Sequence, residues 1–196
     1  MGVAERNRPK SIYDYPQVYE RQGMKLGHFG CIMLDVEPID VTGILGTDRW
    51  YYSSGRDELR YVRGPVAEKV AHCTLLYGLT PGDNAGHEQR ESVDELLDGL
   101  DLTSVSVSHV SYFPGQMGEP YSCVIAHLDA GGDLLEANRR LRFLPHIDSF
   151  VDYRAHVTLA YVRQEHTDRA VNVLNDALAG EELTAVGINY GGELKG

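Results

Sequence analysis

Short segments in which apolar and polar residues alternate, or in which apolar residues run together, recur along this chain. Successive side chains on a strand point to opposite faces, so such segments predict strands. We predict strands at 29–36, 70–77, 103–112, 121–128, 153–162 and 184–190. Elsewhere, apolar residues fall three or four positions apart, as do Val93, Leu96 and Leu97, which predicts helices. We predict helices at 86–98, 133–143 and 167–179.

The segments that connect the first two strands of each half differ. Asp133, followed three positions later by Glu136, predicts a capping box at the start of the 133–143 helix, and Pro145 predicts its end. The segment 38–64 shows no clear period. A connection of this length inside a compact domain is usually a lid or a binding loop.

Apart from this difference, both halves of the chain follow one order: strand, connection, strand, helix, strand. The corresponding segments are 29–36 and 121–128, 70–77 and 154–162, 86–98 and 167–179, and 103–112 and 184–190. Helices that alternate with strands predict a layered α+β or α/β domain.

A short motif also recurs, once in each half. The sequence Ala-His-x-Thr-Leu-x-Tyr occurs at 71–77 and again at 155–161. Residues two positions apart on a strand share a face, so His72 and Thr74 point the same way, as do His156 and Thr158. If internal symmetry brings the two strands together, two imidazoles and two hydroxyls share one cleft.

Aromatic residues accompany the motifs. Strict alternation places Tyr77 and Tyr161 on the face opposite the histidines, which predicts core packing unless the strands bend after the motif. Arg49, Trp50 and Tyr51 could form a platform for a nucleotide base, because bases stack on aromatic rings and arginine adds charge. The alternative is that this segment packs as a hydrophobic plug that closes the core of the first half of the chain.

Composition limits the classes of partner. The chain has 196 residues with 42% apolar content, enough for a sizeable core, and a formal net charge of −11. This acidity argues against binding to extended nucleic acid, for which a basic surface is expected. A small anionic ligand held by a local positive cluster remains compatible with it.

The cysteines and the N-terminus indicate the compartment. Cys31, Cys73 and Cys123 stand singly in apolar segments, which predicts reduced, buried thiols. Residues 1–10 lack the apolar core of a signal peptide, and no apolar run reaches the roughly 20 residues of a membrane span. We therefore expect a soluble, cytoplasmic protein.

The two His-x-Thr motifs and the elements around them resemble the 2H phosphoesterase superfamily over roughly residues 28–190. The resemblance implies an α+β, bilobal, pseudo-two-fold fold in which two sheets flanked by helices enclose a central cleft. It implies an arm at 1–27, a single domain at 28–190 with lobes at about 28–113 and 121–190, and a tail at 191–196. Within the superfamily, 72–77 and 152–161 look most like the phage anti-CBASS branch, whose members degrade cyclic di- and trinucleotide messengers.

The resemblance implies that His72 and His156 are the catalytic pair, and that Thr74 and Thr158 hold the phosphate. Imidazole can act as acid or base near neutral pH, so two of them can serve one phosphodiester without a metal or other cofactor. Arg154, two positions before His156, is the expected phosphate-binding guanidinium; a surface salt bridge is its alternative. The expected partner is a small anionic nucleotide, and the expected compartment is the host cytoplasm if a phage encodes the protein.

Three other functions remain open. The chain could open 2′,3′-cyclic phosphates at RNA ends or handle 2′–5′ linkages, as a 2′–5′ RNA ligase-like enzyme does. It could bind cyclic nucleotides without turnover, or it could use a metal held by residues distant in sequence. The remaining histidines are expected on the surface or satisfied in the core: His28, His87, His109, His127, His146 and His166.

Overall fold

The computed structural model describes residues 29–46, 51–52, 61–62, 71–80, 82, 84–114, 121–129, 131–147 and 152–191. The strands in these residues are β1 (Gly30–Val36), β2 (Tyr51–Tyr52), β3 (Tyr61–Val62), β4 (Ala71–Leu79), β5 (Ser104–Pro114), β6 (Tyr121–Leu128), β7 (His156–Arg163) and β8 (Glu182–Asn189). The helices are α1 (Val41–Leu45), α2 (Ala85–Glu88), α3 (Arg90–Leu97), α4 (Asp133–Leu141) and α5 (Thr167–Leu178), with a 3₁₀ turn at Gln164–His166. The prediction of a mixed helix and strand domain is confirmed.

The strands that the structure describes form one sheet in the order β3-β2-β7-β4-β1-β8-β5-β6, and β6 also pairs with β7. All of these pairings are antiparallel. Strands β4, β1, β8, β5, β6 and β7 therefore form a closed circuit, and the β2–β3 hairpin attaches to β7. The prediction of two separate sheets is not confirmed, because every described strand belongs to the same set of pairings.

Within this six-strand circuit the pairing pattern is unchanged when β1 is exchanged with β6, β4 with β7 and β5 with β8, whereas the β2–β3 hairpin pairs with β7 and has no counterpart beside β4 among the described strands. For example, β1 pairs with β4 and β8, and β6 pairs with β7 and β5. This connectivity is what a duplicated unit would produce. A spatial two-fold axis and the division into lobes stay predictions.

One face of the sheet is buried. Apolar side chains from the strands form a single cluster with apolar side chains of α3, α4 and α5. The residues of the opposite face, including both motif histidines and both motif threonines, are only partly buried. Among the described residues, no helix is long and apolar enough to span a membrane.

Both motif strands contain a β-bulge directly after the threonine. The residues on either side of Leu75 oppose consecutive residues of β1, and the residues on either side of Leu159 oppose consecutive residues of β6. Each leucine is thus an extra residue, which reverses the alternation of side chains beyond it. Tyr77 and Tyr161 consequently return to the histidine face and are half-buried there. The prediction that they pack in the core is wrong, because it assumed unbroken alternation.

A buried side-chain amide supports the first of these bulges. A bulge disrupts the local ladder of hydrogen bonds, and the Nδ2 of Asn138 on α4 donates to the carbonyl oxygen of Leu75 at 2.6 Å. We expect Asn138→Ala to lower the free energy of unfolding by about 1–3 kcal/mol, because it leaves a buried carbonyl unsatisfied. Urea unfolding would measure this. Asn172→Ala, at an exposed position of α5, is the matched control; equal effects from the two variants would contradict the role.

The predicted capping box at α4 is not formed. Among the residues that the structure describes, no side chain caps the helix; the Asp133 carboxylate instead accepts the backbone N–H of Asp101 at 2.8 Å. Glu136 forms ion pairs with Arg139 and Arg140 at 2.6 Å and 2.8 Å. Hydrogen bonds from Arg139, and then Arg140, lower the pKa of Glu136 to about 2. The Glu136 carboxylate therefore pairs with arginines farther along its own helix and does not reach back to the start of the helix.

Candidate active site

The two motif strands are neighbours. Strands β4 and β7 run antiparallel and are paired at the middle residue of each His-x-Thr triplet. Continued by one residue in each direction, this register places His72 opposite Thr158 and Thr74 opposite His156. Directly opposed residues of antiparallel strands point to the same face. The structure therefore brings the four predicted site residues to one patch of the sheet.

The spacing of this patch suits a small anion. Directly opposed residues have Cβ atoms about 4.5–5.5 Å apart, and diagonal neighbours are about 7–8 Å apart. His72 and His156 occupy one diagonal of the patch, and the two threonines occupy the other. Two imidazoles on a diagonal can approach a phosphate from opposite sides while the hydroxyls reach its remaining oxygens.

The orientation of the His156 ring is determined by the backbone. Its Nδ1 lies 2.8 Å from the carbonyl oxygen of Arg154, so Nδ1–H donates to this oxygen. The Nε2 atom is then the one available for proton exchange. The ring of Phe113 on β5 packs edge-on against the same imidazole, with 5.3 Å between ring centroids. Contacts from two different elements thus hold this ring.

Two further histidines continue from His156 across the sheet. His156 on β7 opposes His127 on β6, and His127 opposes His109 on β5. The His109 and His127 rings stack with 4.3 Å between centroids and 14° between planes. Ser111 Oγ lies 2.7 Å from Nε2 of His127. We call these three residues, His109, His127 and His156, the histidine row.

The sequence pattern did not associate His109 and His127 with the site. A signal was nevertheless present, because the two histidines lie equally far in sequence from Gly118, between β5 and β6. A hairpin centred there pairs His109 with His127. Burial lowers the pKa of His127, and the nearby charges of His109, His156 and Arg154 lower it further. This imidazole is therefore mostly neutral at pH 7.

The corresponding position beside the other motif holds a carboxylate. Asp35 on β1 opposes His72, as His127 opposes His156. The Nδ2 of Asn189 lies 3.1 Å and 3.3 Å from the two carboxylate oxygens of Asp35. The two motif histidines therefore have neighbours of different charge, although the motifs themselves are nearly identical.

The structure describes the four predicted substrate-binding residues to different extents. Arg49 and Trp50 lie outside the described residues, and the backbone of Tyr51 lies in β2, opposite Val162 of β7. Arg154 is exposed and precedes β7. Its positive charge contributes to the lowered pKa of His127, a member of the histidine row. The binding roles of all four residues stay predictions.

Behind the patch lies a buried thiol. Cys73 is fully buried, its Sγ lies 3.6 Å from the hydroxyl of Tyr153, and burial raises its pKa. Cys31 and Cys123 are also reduced cysteines but are only half-buried, so the prediction of buried thiols is correct for Cys73 alone. Among the described residues, no group of three or more histidine, cysteine, aspartate or glutamate side chains is arranged to hold a metal ion.

The sequence matches no protein-family model and no curated protein sequence. Among solved structures, the chain is similar to Usb1 of Kluyveromyces marxianus, with 10% identity and a TM-score of 0.46 over 85% of this chain and 95% of that one. It is also similar to the structure of that Usb1 with uridine monophosphate, with 10% identity and a TM-score of 0.47 over 85% and 96% of the two chains. At these values neither similarity by itself assigns a family or an activity to this chain.

Proposed function

We propose that this protein is a metal-independent phosphodiesterase of the 2H type. The observation that carries the proposal is the pairing of β4 with β7 at the centre of the two motifs. Continued by one residue in each direction, this register puts two imidazoles and two hydroxyls on one partly buried face, a set that can supply the acid, the base and the hydrogen-bond donors of a metal-free phosphodiester cleavage.

In the proposed reaction, one motif histidine takes a proton from the attacking oxygen, which belongs to a ribose 2′-hydroxyl or to water. This oxygen forms a bond to phosphorus as the bond to the 5′-oxygen breaks. The other motif histidine, initially protonated, donates its proton to the leaving 5′-oxygen, so the protons balance. His156 exchanges its proton at Nε2, because its Nδ1–H is occupied by the Arg154 carbonyl.

The remaining groups of the patch stabilise the phosphate. Hydroxyls of Thr74 and Thr158 donate to the non-bridging oxygens, on which negative charge develops. They carry no charge of their own, so they leave the charge around the two histidines unchanged. The Arg154 guanidinium supplies positive charge on the His156 side.

We further propose cyclic di- and trinucleotide messengers with 3′–5′ linkages as substrates, and a role in phage counter-defence against CBASS in the host cytoplasm. The likeness of the segments 72–77 and 152–161 to the anti-CBASS branch supports this choice. The net charge of −11 also favours a small ligand over a long nucleic acid, which would require a broad basic surface.

A substrate panel tests both the proposed phosphodiesterase activity and the proposed substrate class. The protein is incubated with cyclic di- and trinucleotides and with linear RNA ending in a 2′,3′-cyclic phosphate, with and without a chelator, and products are separated by chromatography. We expect cleavage of the cyclic oligonucleotides that persists in chelator. Preferential opening of the linear ends would replace the proposed substrate class with an RNA-end activity. Intact ligand recovered with the protein, or activity lost in chelator, would contradict the proposed enzyme.

A further inference from the structure

The histidine row extends beyond what cleavage of one phosphate requires. His72 and His156 already provide an acid and a base, yet two more imidazoles lie on the same face next to His156. Neighbouring strands are about 4.8 Å apart, so His109 lies roughly two strand spacings, or about 10 Å, from His156. The row therefore leads away from the reacting centre over a distance on the scale of one nucleotide.

The surroundings of the row favour an anion. Among the described residues, the charges that act on His127 are those of His109, His156 and Arg154, which are all positive when protonated. They come from β5, from β7 and from the segment before β7, so positive charge faces His127 from both neighbouring strands. In a chain with a net charge of −11, this is a local positive cluster.

The row also offers hydrogen-bonding groups in fixed positions. Ser111 Oγ lies 2.7 Å from Nε2 of His127, and Ser108 Oγ lies 3.1 Å from Nδ1 of His109. Two stacked imidazolium rings would repel each other in the free protein. A bound phosphodiester anion would offset that repulsion, because it interacts favourably with both positive rings.

We infer that His109 and His127, with Ser111, form a second phosphate-binding subsite that holds the neighbouring phosphate of an oligonucleotide while the reacting phosphate lies between His72 and His156. The inference rests on the proposed function and specifies its substrate: a ligand with at least two phosphates one nucleotide apart.

Occupation of the subsite is coupled to protonation. In the free protein the pKa of His127 is lower than its usual value, so at neutral pH the ring is mostly neutral. A phosphate group favours the imidazolium form, so binding takes up protons. Binding of the second phosphate should therefore strengthen as pH falls from about 7.5 to about 6.

The experiment compares the 2′-deoxy dinucleotide d(ApA), which has one phosphate, with d(pApA), whose additional 5′-phosphate is used as its methyl ester so that, like an internal phosphate, it bears one negative charge at both pH values. Without a 2′-hydroxyl, both resist internal attack. Dissociation constants are measured by calorimetry in the presence of a chelator, at about pH 6 and about pH 7.5. For the wild-type protein we expect the extra phosphate to improve affinity about tenfold at the lower pH and less at the higher one.

His109→Gln and His127→Gln should each abolish the gain in affinity that the extra phosphate gives. His166→Gln, beyond the opposite end of β7, should retain that gain. His109 is exposed, so its replacement leaves the core intact even if replacement of the half-buried His127 impairs folding. A gain that survives in His109→Gln, or no gain in the wild-type protein, would overturn the inference.

Nuclear magnetic resonance separates failure of the subsite from failure of the proposed function. Addition of d(pApA) should move the ring-proton resonances of His109 and His127 toward their protonated positions, whether or not any substrate is cleaved. If these resonances move but the substrate panel shows no cleavage, the subsite stands and the enzyme proposal fails. If cleavage occurs and the resonances do not move, the subsite is refuted and the enzyme proposal stands.

Discussion

His72→Ala and His156→Ala are each expected to reduce the rate of phosphodiester cleavage by about 10²–10⁴-fold, the usual contribution of one general acid or base. Each variant removes one of the two groups that transfer protons in the proposed reaction. The loss should appear mainly in kcat, because the threonines and the positive charge near His156 still bind the phosphate. Initial rates on the best substrate of the panel, measured in chelator, provide the test.

His166→Ala is the matched control for this pair, since His166 lies in the 3₁₀ turn after β7 and is only partly buried. It should retain wild-type activity. Far-ultraviolet circular dichroism and thermal unfolding establish that each variant is folded. If a folded His72→Ala or His156→Ala protein retains more than about a tenth of the wild-type rate, the two-histidine mechanism is wrong.

Leu75→Ala and Leu159→Ala are each expected to lower the free energy of unfolding by about 2–5 kcal/mol. Their side chains are 0% and 1% exposed, and both belong to the hydrophobic core behind the motif strands. Truncation removes buried apolar surface and leaves a cavity that the bulged backbone can fill only in part. The midpoint and slope of urea unfolding, measured without ligand, give the change.

Leu135→Ala is the control of the same chemistry, because Leu135 on α4 is 48% exposed. Its effect should stay within about 0.5 kcal/mol, as for most surface substitutions. Equal destabilisation by Leu75→Ala and Leu135→Ala would show that the bulge residue does not belong to the core that supports the site.

Much of the local structure follows from the sequence. The segments around His72 and His156 form strands, as their alternation of apolar and polar residues predicts. The helices predicted at 133–143 and 167–179 correspond to α4 and α5, whereas 86–98 is divided into α2 and α3 with Gln89 between them. Local propensity predicts that a helix exists more reliably than it predicts where the helix is interrupted.

The predictions that failed depend on contacts between distant residues. The two bulges turn Tyr77 and Tyr161 toward the histidine face, and the first depends on Asn138, which lies 63 positions from Leu75. The position of His127 beside His156 likewise depends on which strands pair. A periodicity computed along the chain contains neither kind of information.

The sequence alone establishes that the histidine and the threonine of each motif share a face, because alternation along an unbroken strand is a local property of the backbone. It also determined the types of chemical group available there, two imidazoles and two hydroxyls. The fold itself was needed to establish that β4 lies beside β7, that Asp35 flanks one histidine and His127 the other, and that the histidine row exists. These features depend on strand order and register, which are set by packing and hydrogen bonding between segments far apart in the chain.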